Sequence, residues 1–117
     1  MAQKANSDDN KINIHKGHRD KVKKRYYESG LSSMPDHNIL ELLLFFGIPQ
    51  KDTNPIAHEL ITTFGSFSGV LEASKSDLQS VKGMTENAAC LLTLMLPVYK
   101  RYVNDLHKKK RKFNTAK

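Results

Sequence analysis

The chain has one cysteine, no tryptophan and four prolines in 117 residues. A lone thiol, Cys90, excludes an intramolecular disulfide framework and a multi-cysteine zinc site. Long apolar runs are missing too. The longest, Ile39 to Phe46, is interrupted by Glu41 and is far too short to span a bilayer. The opening stretch MAQKANSDDNK has no apolar centre and does not read as a signal peptide. Paired catalytic carboxylates, a nucleophile–base pattern and a phosphate loop are all lacking, so a stand-alone enzyme is the weakest reading. These absences lead to the expectation of a soluble, cytoplasmic, non-catalytic chain with no cofactor, no metal and no membrane partner.

Charge is present, and it is unevenly placed. The whole chain carries 19 Lys and Arg against 12 Asp and Glu, a net +7. Residues 1–30 hold eight basic side chains against four acidic ones, residues 31–99 three against seven, and residues 100–117 eight against one. The positive charge therefore sits at the two ends of a mildly acidic middle. Basic ends attract polyanions such as nucleic acid.

Local patterns read as helices throughout. Val22 and Tyr26 lie four apart in a basic stretch that begins at Arg19, and Gly30 is placed to end that helix. Pro35-Asp36 opens a second helix, almost uniformly apolar through Phe46 and expected to be the most enclosed, stopped by Gly47-Ile48-Pro49. Asp52-Thr53-Asn54-Pro55 starts a third, which Gly65 ends. Ser66 caps a fourth, and Ser74 or Ser76 a fifth. A long last helix begins near Thr85 and runs to about Leu106, with a kink expected near Thr93 because Pro97 cannot donate its hydrogen bond. The expected fold is all-α, a bundle of about five or six helices.

The stretch Leu78 to Leu92 looks like a helix-hairpin-helix. In that motif a glycine turn and the start of a second helix aim backbone N–H groups at one DNA phosphate. Lys82, Gly83, Met84 and Thr85 are the candidate phosphate-binding residues. Hairpins of this type usually read Gly-apolar-Gly, whereas Thr85 takes the second glycine position and Glu86 follows with a negative charge. The alternative is a hairpin that only packs helices. Lys21, Lys24 and Arg25 on the first helix, and the run Lys108 to Lys112, are further phosphate candidates, set against a solvated face and a disordered tail.

Gly17-His18-Arg19, Met34-Pro35-Asp36, Glu41 to Phe46, Ile48-Pro49, Asp52 to Pro55 and Phe64-Gly65-Ser66 occur in an order that resembles the N-terminal domain of RadC-type DNA repair proteins. The resemblance covers roughly residues 17–106. It implies an arm over 1–16, a helical domain over 17–106 and a basic tail or linker over 107–117. Whole RadC-like proteins carry a second domain resembling JAB/MPN metalloproteases, with a His-x-His zinc signature that this chain lacks. The implied role is a helical accessory module, a fragment or a stand-alone relative. It would bind DNA, branched forms among the candidates, without reading sequence, or dock a JAB/MPN-like partner domain. Gly17, His18, Arg19 and Asp36 are the motif positions to which a structural role is assigned, with Arg19 fixing the first helix through a carboxylate such as Asp36 or Glu41.

Three further groups of residues read as plainly structural. His15 and His18 are three apart but have no further ligands at zinc-like spacing. Tyr26, Tyr27, Tyr99 and Tyr102 are spaced for packing or for lining a surface, with base stacking as the alternative. Cys90, among Ala88, Ala89, Leu91 and Leu92, is expected in the core.

Overall fold

The computed structural model describes the backbone of residues 2–115 and the side chains of residues 15–110. Six helices follow one another: α1 (Ala2–Ser29), α2 (Asp36–Phe45), α3 (Asn54–Phe64), α4 (Phe67–Glu72), α5 (Lys75–Gln79) and α6 (Glu86–Thr115). There is no strand among the described residues, so the all-α expectation holds. No helix among them is long and apolar enough to cross a membrane.

The punctuation of the chain explains most boundaries. Gly30 and Gly65 end α1 and α3 in the left-handed region, at φ 72° and 86°, and their amides donate to Tyr26 and Ile61 carbonyls. The Ser66 hydroxyl accepts from the Gly69 amide at 3.0 Å, and Ser74 accepts from Asp77 at 3.2 Å. Each such cap contributes about 1 kcal/mol to a helix too short to stand alone. Two helices are longer than their patterns imply. α1 begins ahead of Arg19 and α6 continues past Leu106, because neither flank contains a proline to end the helix. Most of the arm expected over 1–16 lies outside the residues whose side chains are described. Pro97 sits inside α6 without ending it.

The core is built around α2. Leu40, Leu44 and Ile48 meet Ala57 and Leu60 of α3, Val70 of α4, Leu78 of α5 and Ala88, Ala89 and Leu92 of α6, all fully buried. A second, smaller cluster of Val22, Met34, Leu42 and Phe45 fastens α1 to α2. The expectation that α2 is enclosed on nearly all sides fails at its exit, where Phe46 is 70% exposed. Phe46 is the C-cap, turned about 100° from Phe45 and away from both clusters.

Cys90 is also placed otherwise than expected: it is exposed. Ala88, Ala89 and Leu92 take the inward positions of α6, and Cys90 falls on the opposite side of the same turn.

Candidate functional site

The Gly-His-Arg segment forms a lock between α1 and the end of α2. Arg19 donates from Nη1 to the Phe45 carbonyl at 3.1 Å, and from Nη2 to Ile48 at 2.5 Å and Lys51 at 2.9 Å. Those carbonyls include orphan acceptors at a helix C-terminus, where a cation is favoured. The guanidinium also lies 4.9 Å from the centre of the Phe45 ring. Burial pulls Arg19 below its ordinary pKa.

The carboxylate partner belongs to His18 instead. Its Nε2 lies 3.1 Å from Oε1 of Glu41, which is 0% exposed and also accepts from Asn38 at 2.8 Å. This corrects the expected Arg19 pairing with Asp36 or Glu41. A planar guanidinium with several donors suits converging carbonyls better than one carboxyl group. Asp36 remains exposed in the first turn of α2. Gly17 lies within α1, and a Cβ there would meet nothing within 4 Å.

At the hairpin, structural duties occupy much of what the motif offers. Gly83 has φ 93°, and a Cβ would lie 2.8 Å from Cδ1 of Ile56, so this glycine serves packing as well as the turn. The Met84 amide donates to Val81 at 3.1 Å, and its side chain packs on the core. Thr85 donates its hydroxyl proton to the Gly47 carbonyl at 2.6 Å while accepting from the Ala88 amide at 3.1 Å. Glu86 pairs with Lys75 at 3.0 Å. Lys82 is exposed. The amides of Gly83, Thr85, Glu86 and Asn87 have no acceptor among the described residues. What the hairpin retains for an anion is therefore backbone N–H groups and one lysine.

The two basic stretches differ once folded. Lys21, Lys24 and Arg25 are exposed on α1, but Asp20 and Glu28 are exposed beside Lys21 and Lys24, and Lys24 lies 3.9 Å from Glu28. α6 carries charge almost wholly of one sign in its second half. Lys100, Arg101, Lys108, Lys109 and Lys110 are exposed along its second half, with Asp105, 3.6 Å from Lys109, the single acidic side chain between them. Lys100 and Arg101 are not among the sequence-predicted site residues because they stand apart from the uninterrupted lysine run. Helical spacing extends the same basic region back by two turns.

One further surface had no signal in the sequence. A groove of about 340 Å3 opens between α1, α2, α4 and α6, lined by Tyr26, Tyr27, Leu31, Leu43, Phe46 and Met95 among others. Its walls come from four separate elements, which no local pattern brings together. Lys23, 5.6 Å from the centre of the Phe46 ring, is the cation at its edge. Among the described residues no three His, Cys, Asp or Glu side chains gather in a way that would hold a metal.

The fold and its surfaces define an all-helical module with a locked core, a basic terminal helix and an uncovered apolar groove. Over 79 residues the chain is 38% identical to a UPF0758 protein of Fusobacterium nucleatum subsp. nucleatum, a match covering 68% of this chain and 34% of the relative. It is 42% identical over 69 residues to one from Ruegeria pomeroyi, covering 59% and 31%. It is 40% identical over 65 residues to one from Rhodobacter capsulatus, covering 56% and 30%. These likenesses support a relationship with the RadC (UPF0758) family. The chain spans about a third of the length of the curated relatives it matches. No family model matches the chain, and no solved structure matches it.

Proposed function

We propose that this chain is a non-catalytic helical accessory module of a RadC-like protein that holds DNA through its phosphates without reading sequence. The observation that carries this reading is the excess of exposed cations on the second half of α6, Lys100, Arg101, Lys108, Lys109 and Lys110, with Asp105 the single acidic side chain between them. Cations concentrated in this way neutralise phosphates and release their counterions. The unpaired amides beside Gly83 offer a second contact, with Lys82 next to them.

Fluorescence anisotropy with labelled duplex, branched and single-stranded DNA at two salt concentrations tests the proposal. Affinity is expected to fall steeply with salt and to vary little with sequence. Absence of binding at low salt would remove it. Lys82→Glu is the suitable hairpin variant. Gly83→Asp is not, because any Cβ there meets Ile56 at 2.8 Å.

A second reading is favoured by a specific observation. The apolar groove bordered by Tyr27 and Phe46 fits a protein-docking role toward a JAB/MPN-like partner domain. Under that reading, Phe46→Ser abolishes co-elution with such a domain and leaves DNA affinity unchanged.

A further inference from the structure

Two of the exposed aromatic side chains lie amid the cations of α6. Tyr99 and Tyr102 are one turn apart, 63% and 58% exposed, with ring centres 6.4 Å from each other and planes inclined by 36°. Neither lines the apolar groove. Lys100 follows Tyr99 and Arg101 precedes Tyr102, each turned about 100° from its tyrosine, so one cation flanks the pair on either side. Lys109 lies seven residues beyond Tyr102 and Lys110 eleven beyond Tyr99. Those intervals return a helix to within about 20° of the same side. Exposed Leu106 lies between, and Asp105 is the single acidic side chain from Tyr99 to Lys110.

We infer that Tyr99 and Tyr102 form a stacking platform for unpaired bases, so that the nucleic acid held by α6 is single-stranded. The inference rests on the phosphate-binding reading above and adds to it the form of the strand. Charge complementarity selects the occupant. Whatever covers the two rings also meets Lys100, Arg101, Lys109 and Lys110 around them, and so must join flat apolar faces to closely spaced negative charge. A single strand supplies both in every nucleotide, a base face and a phosphate. A duplex supplies the phosphates alone, because each base face is covered by the next pair and only edges are offered in the grooves. The spacing agrees. Stacked bases are about 3.4 Å apart along a strand. An unpaired strand stretches beyond that, so bases of one strand reach both rings at their separation of 6.4 Å.

The two kinds of contact have separate signatures. The cations act on phosphates and set the slope of affinity against salt. The rings act on base faces by contact and desolvation, so their loss lowers affinity by a similar factor at each salt concentration. Stacking belongs to the ring rather than the hydroxyl, and phenylalanine serves as well as tyrosine.

Fluorescence anisotropy of the 117-residue chain, with a labelled mixed-sequence single strand and with a duplex of the same length, is the experiment. The single strand is expected to bind about tenfold more tightly or better. Tyr99→Ala with Tyr102→Ala is expected to remove that preference. Single-strand affinity falls by about tenfold or more, while the duplex affinity, the salt slope and the helical circular dichroism stay as in the parent. Tyr99→Phe with Tyr102→Phe is expected to keep single-strand affinity, and Tyr27→Ala, at the groove, to leave it unchanged. Duplex binding as tight as that of the single strand, or single-strand binding indifferent to the paired alanines, overturns the platform and leaves the phosphate-binding reading standing. A loss in the phenylalanine pair equal to that in the alanine pair assigns the effect to the hydroxyls and also overturns it. No binding of either form at low salt removes both readings.

Discussion

The Thr85 hydroxyl donates to the Gly47 carbonyl at 2.6 Å, tying the start of α6 to the end of α2 across 38 residues of chain. The same oxygen accepts from the Ala88 amide, so one side chain caps a helix and satisfies an orphan acceptor of another. Thr85→Val keeps the shape and removes both bonds. It is expected to cost about 1–3 kcal/mol, read as a lowered urea midpoint, whereas Thr85→Ser costs less than about 1 kcal/mol. Equal losses in the two variants would refute the hydroxyl's double role.

Gly47 makes the same junction possible from the other side. A Cβ there would sit 2.5 Å from Cα and 2.7 Å from N of Ala88, both rigid backbone atoms. Gly47→Ala therefore forces α2 and α6 apart. A loss of about 2–3 kcal/mol is expected, or roughly 10–20 °C in melting temperature for a domain of this size. A melting temperature within about 2 °C of the parent would contradict the close approach.

Arg19→Lys tests the lock between α1 and α2. A lysine carries the charge but cannot serve the three carbonyls of Phe45, Ile48 and Lys51 with one planar group. The expected cost is about 1–3 kcal/mol, with hydrogen exchange accelerating first at residues 45–51. Uniform acceleration over the whole chain would point to a different role.

Removing His18 leaves the buried Glu41 carboxylate with Asn38 as its remaining partner. His18→Ala alone is expected to destabilise by about 1–3 kcal/mol. In the Glu41→Gln background the same change should cost less, because the neutral amide is easier to bury. A double-mutant cycle with no coupling between the two positions would show that the 3.1 Å contact carries no energy.

Charge reversal distinguishes the two basic helices. Lys100→Glu with Arg101→Glu and Lys108→Glu is expected to lower DNA affinity and to flatten the salt dependence by about one unit of slope per lost contact. Lys21→Glu with Lys24→Glu is expected to do much less, since Asp20 and Glu28 already dilute that face. The reverse ranking in anisotropy would move the proposed contact from α6 to α1.

The sequence-based expectations succeeded where the governing chemistry is local. Gly30, Gly65, Ser66 and Ser74 mark helix ends because a positive φ or a short hydroxyl acts within one turn. They failed where an outcome depends on a distant partner. Arg19 was expected at a carboxylate, yet three carbonyls from 26 to 32 residues away hold it. Cys90 was expected in the core because its neighbours are apolar, but a helix turns each residue about 100° from the last. The groove had no sequence signal at all, because Tyr27, Phe46 and Met95 are adjacent only after four helices have packed.

Apolar residues at helical spacing, together with frequent caps and glycine stops, were enough by themselves to indicate an all-α architecture. Hydrogen-bond capping and backbone sterics act between near neighbours, and so are written in their order. The tertiary structure alone decided that Gly83 packs on Ile56, that His18 rather than Arg19 meets Glu41, and that Tyr27, Phe46 and Met95 line one groove. Those outcomes depend on which surfaces meet across the chain, and burial and steric exclusion settle them together.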